Sequence, residues 1–239
     1  MKTRASKALG ATAGIAAIVA SVPFAINAYA DPPADPATPS TPVSTPVAPI
    51  PDPQGSGCDA FKAALPNWKD LATQPVSKVL ATIPDVATFN SLISGQANPA
   101  VNIQSVLDNG PYVVFAPSND AFAAMDPAQL AAIKADPAAL AKLDYYHVFL
   151  GLLGPDDVKG QRPTQQGAEI KVTGKGGDIK VNDTAKVVCG GIQAENARIY
   201  IIDQVLDTAT APEPIVPTGT SATTTTSTST QAPPSPAAG

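Results

Sequence analysis

The spacing of apolar residues divides the chain into a helical half followed by a strand half. Phe89, Leu92 and Ile93 recur at i, i+3 and i+4 behind Pro84-Asp85-Val86, and Gly95 ends the run. That is one face of a helix with a start and a stop. Pro75-Val76-Ser77-Lys78-Val79-Leu80 opens another helix with a proline near its N-terminus. Val101, Ile103, Val106 and Leu107 predict a short amphipathic helix stopped by Asn109-Gly110. Tyr112-Val113-Val114-Phe115, β-branched and aromatic between Pro111 and Pro117, predicts a strand. Ser118-Asn119-Asp120 then begins a helix carrying Phe122 and Met125. The Ser118 oxygen can accept from a free backbone N–H, and Asp120 sits at the positive helix end. Pro127 to Leu143 predicts two more helices, broken at Asp136-Pro137. Beyond this point the period changes from 3.6 to 2. Ile170 and Val172, then Ile179 and Val181, alternate with polar residues around a hairpin turn, Gly174-Lys175-Gly176-Gly177-Asp178. Val187 and Val188 precede Cys189, and Ile199 to Val205 predicts the last strand. Helices first and antiparallel strands later predict an α+β fold.

Composition confines that fold to residues 58–206. Residues 1–30 read as a signal peptide: Lys2, Arg4 and Lys7, then an apolar stretch from Ala8 to Ala20, then Ala28-Tyr29-Ala30 before Asp31. Thirteen apolar residues make about 20 Å of helix, short of the roughly 30 Å of a hydrocarbon core. The expectation is secretion, to the extracellular space or the cell wall, with cleavage near Ala30. No Cys directly follows the apolar stretch, so no lipid anchor is expected, and no other stretch is long enough to span a membrane. Residues 31–57 form a Pro-rich linker. Residues 207–239 form a Thr/Ser/Pro-rich tail, with the composition of a disordered segment or an O-glycosylated stalk. A single domain of the size between them can bury enough surface to fold without a metal, and a monomer is expected.

Charge and cysteine usage narrow the function classes. The net charge is −5. Cleavage removes three cations and no acid, which leaves the mature chain at −8. Without a Lys/Arg cluster this argues against a nucleic-acid partner. The two cysteines, Cys58 and Cys189, read as one disulfide in an exported chain. The alternative is a redox or metal pair, but there is no C-x-x-C and His147 is the only histidine. His147 stands beside Tyr145 and Tyr146 with Asp144 near. With no G-x-S-x-G, it reads as a packed histidine at a helix-to-strand junction and not as a catalytic base. Asn119-Asp120 reads as a helix start and not as a metal or acid site. Lys171, Lys175 and Lys180 alternate along the hairpin; they read as the usual protection of an exposed edge strand, with a face for an anionic partner as the alternative. No catalytic residue, metal or cofactor is expected.

Four segments carry a family resemblance. Phe115-Ala116-Pro117-Ser118-Asn119-Asp120-Ala121-Phe122, with the strand before it, resembles the first motif of the fasciclin (FAS1) domain. Tyr146-His147 is similar to that family's Tyr-His pair, and Asn196 to Leu206, with Ile202 and Asp203, resembles its closing motif. Gly55-Ser56-Gly57-Cys58 and Val187-Val188-Cys189-Gly190-Gly191, with Asn98-Pro99 and Gln165-Gln166-Gly167, narrow the resemblance to the secreted immunogenic fasciclin proteins of mycobacteria.

The resemblance covers about 58–206. It implies a β-sheet wedge with helices packed over one side, and adhesion or binding without catalysis. The partner class it implies is an envelope or extracellular protein, glycan or lipid. Some family members hold a lipid or pigment in a cleft beside the helices, which implies a carrier as the second reading. In animal relatives an Asp-Ile pair just before the closing motif is linked to integrin binding. The matching positions here are Gly191-Ile192, with Glu195 nearby. These three are the candidate partner-facing positions, but the carboxylate of the animal mechanism is missing.

Overall fold

The computed structural model describes residues 49–215. The expected signal segment, most of the linker and the tail beyond 215 lie outside the described residues. Five short helices form the first layer: α1 (Cys58–Ala64), α2 (Val76–Thr82), α3 (Ala87–Ile93), α4 (Gln104–Asp108) and α5 (Asn119–Ala123). In α3 the predicted stripe is the buried one, with Phe89, Leu92 and Ile93 inaccessible to solvent. Two longer helices follow, α6 (Pro127–Ala135) and α7 (Pro137–Tyr146). Each starts with proline at its first position behind an aspartate cap. Asp126 accepts from Ala128 N at 2.7 Å and Asp136 from Ala138 N at 2.9 Å. Asp-Pro therefore both ends one helix and starts the next.

Seven strands form one sheet: β1 (Tyr112–Pro117), β2 (Val148–Leu150), β3 (Gly160–Pro163), β4 (Glu169–Lys175), β5 (Asp178–Val181), β6 (Ala185–Gln193) and β7 (Ala197–Ile202). Their order is β2-β1-β7-β6-β5-β4-β3, with β1 and β7 parallel and the other neighbours antiparallel. Two register shifts interrupt β6, between Val187 and Cys189 and between Gly190 and Ile192. Such irregularities bend a strand. The start of β6 pairs with β5, and the rest pairs with β7. The two halves of the sheet thus share β6 and turn toward each other. Their far edges meet where Gln165 N donates to Val148 O at 2.7 Å. The expected wedge is a nearly closed barrel.

Alternation along β1 and β7 fills two separate interiors. Val113, Phe115, Tyr200 and Ile202 point into the wedge and meet Ile170, Val172, Ile179 and Val181 from β4 and β5. Val114, Ala116, Ile199 and Ile201 point the other way, against Leu80, Phe89, Leu92, Leu107 and Leu140 of the helices. Cys58 and Cys189 are bonded, which ties α1 to β6 across 131 residues of sequence.

Several expectations need correction. The last strand is Ala197–Ile202: at Asp203 the backbone N still donates to Lys186 O, but the side chain, at 2.7 Å, takes the place of a backbone acceptor for Lys186 N. Met125 lies past the end of α5. The lysine hairpin is not an edge: β3, which the sequence pattern did not reveal, covers β4. Lys171 instead pairs with Asp183 at 3.0 Å. Both boundaries of the ordered domain also move outward. Gln54 exchanges two 2.8 Å backbone bonds with Gly190, and Gly57 N donates to Val188 O. This fills the side of β6 that the bend leaves open. Gly55 has φ +141°, and a side chain there would collide with the Val188 carbonyl. At the other end Asp207 caps a 3-10 turn at Thr208–Thr210, and Ala211 packs on the wedge interior.

Candidate functional site

The first motif forms a strand-to-helix junction. Phe115 stacks within the wedge against Phe149 and Tyr200, at 5.9 and 5.4 Å between ring centres. Ala116 faces the helices, and Pro117 ends the strand. Ser118 Oγ accepts from Ala121 N at 3.1 Å. Asn119 reaches sideways: it accepts from Thr88 N at 2.9 Å and donates to Pro84 O at 2.8 Å, which fixes the start of α3. Phe122 is buried in the helical core, whereas Asp120 is exposed. Burial first, and the Asp120 charge second, push the Asp85 carboxyl above its ordinary value.

Asn196 of the closing motif is the mirror of Asn119. Its amide donates to Leu107 O at 2.6 Å and Gly110 O at 2.9 Å, and its oxygen accepts from Val76 N at 3.1 Å. One side chain holds the ends of α2, α4 and β1 together. Of the three candidate partner-facing positions, Ile192 is fully buried in the helical core and offers no side chain to a partner. Gly191 adopts φ +80°, and a Cβ there would lie 2.7 Å from Pro155. Glu195 alone is exposed, and its backbone N donates to Gln74 O at 2.9 Å.

The Tyr146-His147 pair lies where α7 passes into β2. The Tyr146 hydroxyl donates to Glu169 O at 3.1 Å and accepts from Asn182 at 2.9 Å. His147 is inaccessible to solvent. Its Nδ1 lies 2.8 Å from Leu143 O, and Leu206 N donates to Nε2 at 3.0 Å. A carbonyl only accepts and an N–H only donates, so these partners require the neutral tautomer with the proton on Nδ1. Burial lowers the imidazole pKa to about 4, against a smaller opposing effect of the Leu143 bond.

Two polar residues near this junction, one buried and one half-buried, were not anticipated as features of the site. Asp144, one turn before His147, is fully buried, and neither carboxylate oxygen has a hydrogen-bond partner. Burial raises its pKa to about 8, so the carboxyl is protonated at neutral pH. The signal was available: Leu140, Leu143, Asp144 and His147 are spaced i, i+3, i+4 and i+7, which puts an acid in an apolar stripe. Asn182 gave no such signal. It occupies the left-handed region at φ 50° and ties Lys171 N to the Tyr146 hydroxyl.

A cavity of about 330 Å³ adjoins the junction. Met125, Ile133 and Leu143 from the α6–α7 region line one side, and Val205 and Leu206 the other, with Lys142 and Asp207 among the polar lining groups. A second, of about 260 Å³, lies beside the disulfide between Phe61, Ile83 and Ile201. Among the described residues no group of three His, Cys, Asp or Glu side chains could hold a metal ion. No described helix is long and apolar enough to cross a membrane.

The class of protein so defined is a single α+β wedge domain, helices on one face of a nearly closed seven-stranded sheet, whose motif side chains hold junctions between elements. The fasciclin domain pattern matches residues 84–208, and the chain belongs to that family. It is 38% identical to the immunogenic protein MPB70 of Mycobacterium bovis over 166 residues, which are 68% of this chain and 86% of that one. It is 35% identical to the cell surface glycolipoprotein MPB83 of the same species over 209 residues, 82% of this chain and 94% of that one. Protein sll1483 of Synechocystis is 31% identical over 143 residues, 57% of this chain and 78% of that one. A solved FAS1 domain pair from the insect cell adhesion molecule fasciclin I is 19% identical. It covers 51% of this chain and 45% of that one, with a TM-score of 0.39. The family is generally non-catalytic.

Proposed function

We propose that this chain is an exported, non-enzymatic interaction protein that presents one fasciclin domain outside the cell or at its wall. The observation that carries the reading is the Cys58–Cys189 disulfide. Such a bond persists in oxidising compartments and is rare in the cytosol. The tripartite segment 1–30 and the similarity to a cell surface glycolipoprotein of M. bovis support the same placement. Binding resides in the folded domain, because that is where large apolar and aromatic side chains are held in fixed positions. The termini act as spacers. In this reading His147 and the other motif residues are structural, and exposed Glu195 is the partner-facing candidate that remains.

The test uses the mature chain and a 49–215 fragment, each immobilised and exposed to envelope glycans, lipids and matrix proteins. Equal intrinsic affinity of the two for one retained ligand is the expected outcome. Binding that follows a glycosylated tail and vanishes in the fragment would refute the domain-centred reading. The second reading, a carrier of a small apolar ligand, is favoured by the cavity beside α6 and α7, whose lining includes Met125, Ile133, Leu143 and Leu206. Its volume is at the lower end of the range for small-molecule sites. Extraction and mass spectrometry of secreted protein would find a stoichiometric lipid or pigment if this reading holds.

A further inference from the structure

The segment after β7 is held to the rest of the molecule at few points. Among the described residues, two hydrogen bonds reach residues 204–215 from outside the segment. One is Leu206 N to His147 Nε2, and the other runs from the Gln161 amide to Glu213 O. The remaining bonds are internal to the turn that Asp207 caps. Leu206 and Ala211 add apolar contact with the wedge interior, and Val205 packs against the helical core.

His147 is suited to govern this attachment. Its main chain is already committed: His147 N donates to Asp144 O, and its carbonyl accepts from Phe115 N at 2.9 Å. Among the hydrogen bonds of the described residues, the imidazole alone joins the α7 end to the segment, and it does so as an acceptor. We propose that His147 is a proton-operated latch: protonation of its ring releases residues 204–215 from α7 and opens the adjoining cavity.

The chemistry follows from the two partners. A proton added at Nε2 removes the acceptor and sets two N–H donors against each other at 3.0 Å. It also leaves a cation without water, a state that burial strongly disfavours. The groups around the ring do not offset that charge. On α7, Asp144 has a pKa raised to about 8 and is neutral in the acidic range, and Tyr146 is a neutral phenol. From α3 the neighbour is the Phe89 ring, at 5.8 Å. From the segment itself, the Asp207 carboxylate is turned to Ala209 N, and its charge is felt at Tyr146 but not at His147. The strain is relieved when Leu206 lets go and the ring reaches water. Val205 to Thr208 form one wall of the cavity, so their departure opens it.

The ordinary histidine pKa is 6.5, and the docked state holds it at about 4. Release that returns the ring fully to water raises the ratio of released to docked segment by at most about tenfold per pH unit over that interval, about 300-fold as an upper bound. The experiment is hydrogen exchange on the mature protein from pH 7 to pH 4, corrected for intrinsic rates. The amides of Leu206 to Ala211 should lose protection by up to that factor, while those of Val113 to Phe115 keep theirs. In parallel, the His147 ring signal in NMR should titrate together with the Leu206 amide. His147→Gln can keep both bonds, amide to Leu143 and oxygen to Leu206, without titrating, so its segment should stay protected at pH 4.5. Unchanged protection of the segment in the wild type, loss shared equally by β1, or the same pH response in the glutamine variant would overturn the latch. Should the variant fail to fold, the wild-type exchange and NMR comparison decides alone.

Discussion

The two faces of the β1–β7 strand pair both bury hydrocarbon, more of it on the helical side, but treat polar atoms differently. On the wedge face the phenols are satisfied. Tyr146 bonds both Glu169 O and Asn182, and the Tyr200 hydroxyl donates to Leu153 O at 2.6 Å. On the helical side, Asn90 Oδ1, Ser94 Oγ and both oxygens of Asp144 lack partners, against Arg162 Nε on the sheet side, among the described residues. Hydrogen-bonded ladders fix the relative position of every residue on neighbouring strands, so a hydroxyl can be aimed at one carbonyl. Short helices meet through side-chain shape alone, and polar atoms on them are paired only where a side chain reaches across. Asn119 and Asn196 do reach across, and they mark where this helical layer is pinned. The cavities beside α1 and α7 fall in the same layer.

The largest expected effect concerns the one covalent tie between the layers. Replacing Cys58 and Cys189 together by serine should cost up to about 5 kcal/mol, because the bond closes a loop of more than a hundred residues. Urea denaturation measures this, with exchange at α1 rising before that at β1. A loss below about 1 kcal/mol would mean that the helical layer does not depend on the bond.

Next in size is Tyr146→Phe, which leaves the Asn182 amide and the Glu169 carbonyl each short of a partner in the wedge. About 1–3 kcal/mol of stability should disappear. An equally stable variant would erase the contrast between the faces.

Asp144 and His147 sharpen the contrast through pH. Asp144 is raised from 3.8 to about 8, so between those values the unfolded chain gives up a proton that the fold keeps. Stability from this group is complete below pH 3.8 and falls as pH rises to 8. His147 is lowered from 6.5 to about 4, so its contribution is complete above pH 6.5 and falls toward pH 4. The two slopes oppose each other from pH 4 to 6.5, where stability should be nearly flat. From pH 6.5 to 8 Asp144 acts alone, and about 2 kcal/mol should be lost. Asp144→Asn should abolish that decline. A variant that declines as the wild type does would show that Asp144 is not the group responsible.

The smallest effect belongs to the start of α5. Ser118→Ala removes the oxygen that accepts from Ala121 N and should cost about 1 kcal/mol, readable as a shift of a few degrees in Tm. A shift of zero would mean that Asn119 alone holds the junction.

Local pattern was enough for much of this molecule. The α3 stripe, the break at Asp136-Pro137, the strand ending at Pro117 and the Ser118 cap each depend on residues within one or two turns of each other. Side-chain periodicity and turn chemistry act over that range. The pairing of Cys58 with Cys189 was legible because only two cysteines exist. β2 and β3 were not legible: three and four residues are too few to show a period. Nor was the role of residues 53–57, since polar Gln54 becomes a sheet partner only because β6 bends away from β5. Burial of Ile192 and the isolation of Asp144 were likewise settled by what packs around them. So was the placement of Leu206 N against His147. Each of these requires segments distant in the chain to meet, and such contacts are set by the way the bent sheet and the helices close on one another. No window of neighbouring residues carries that information.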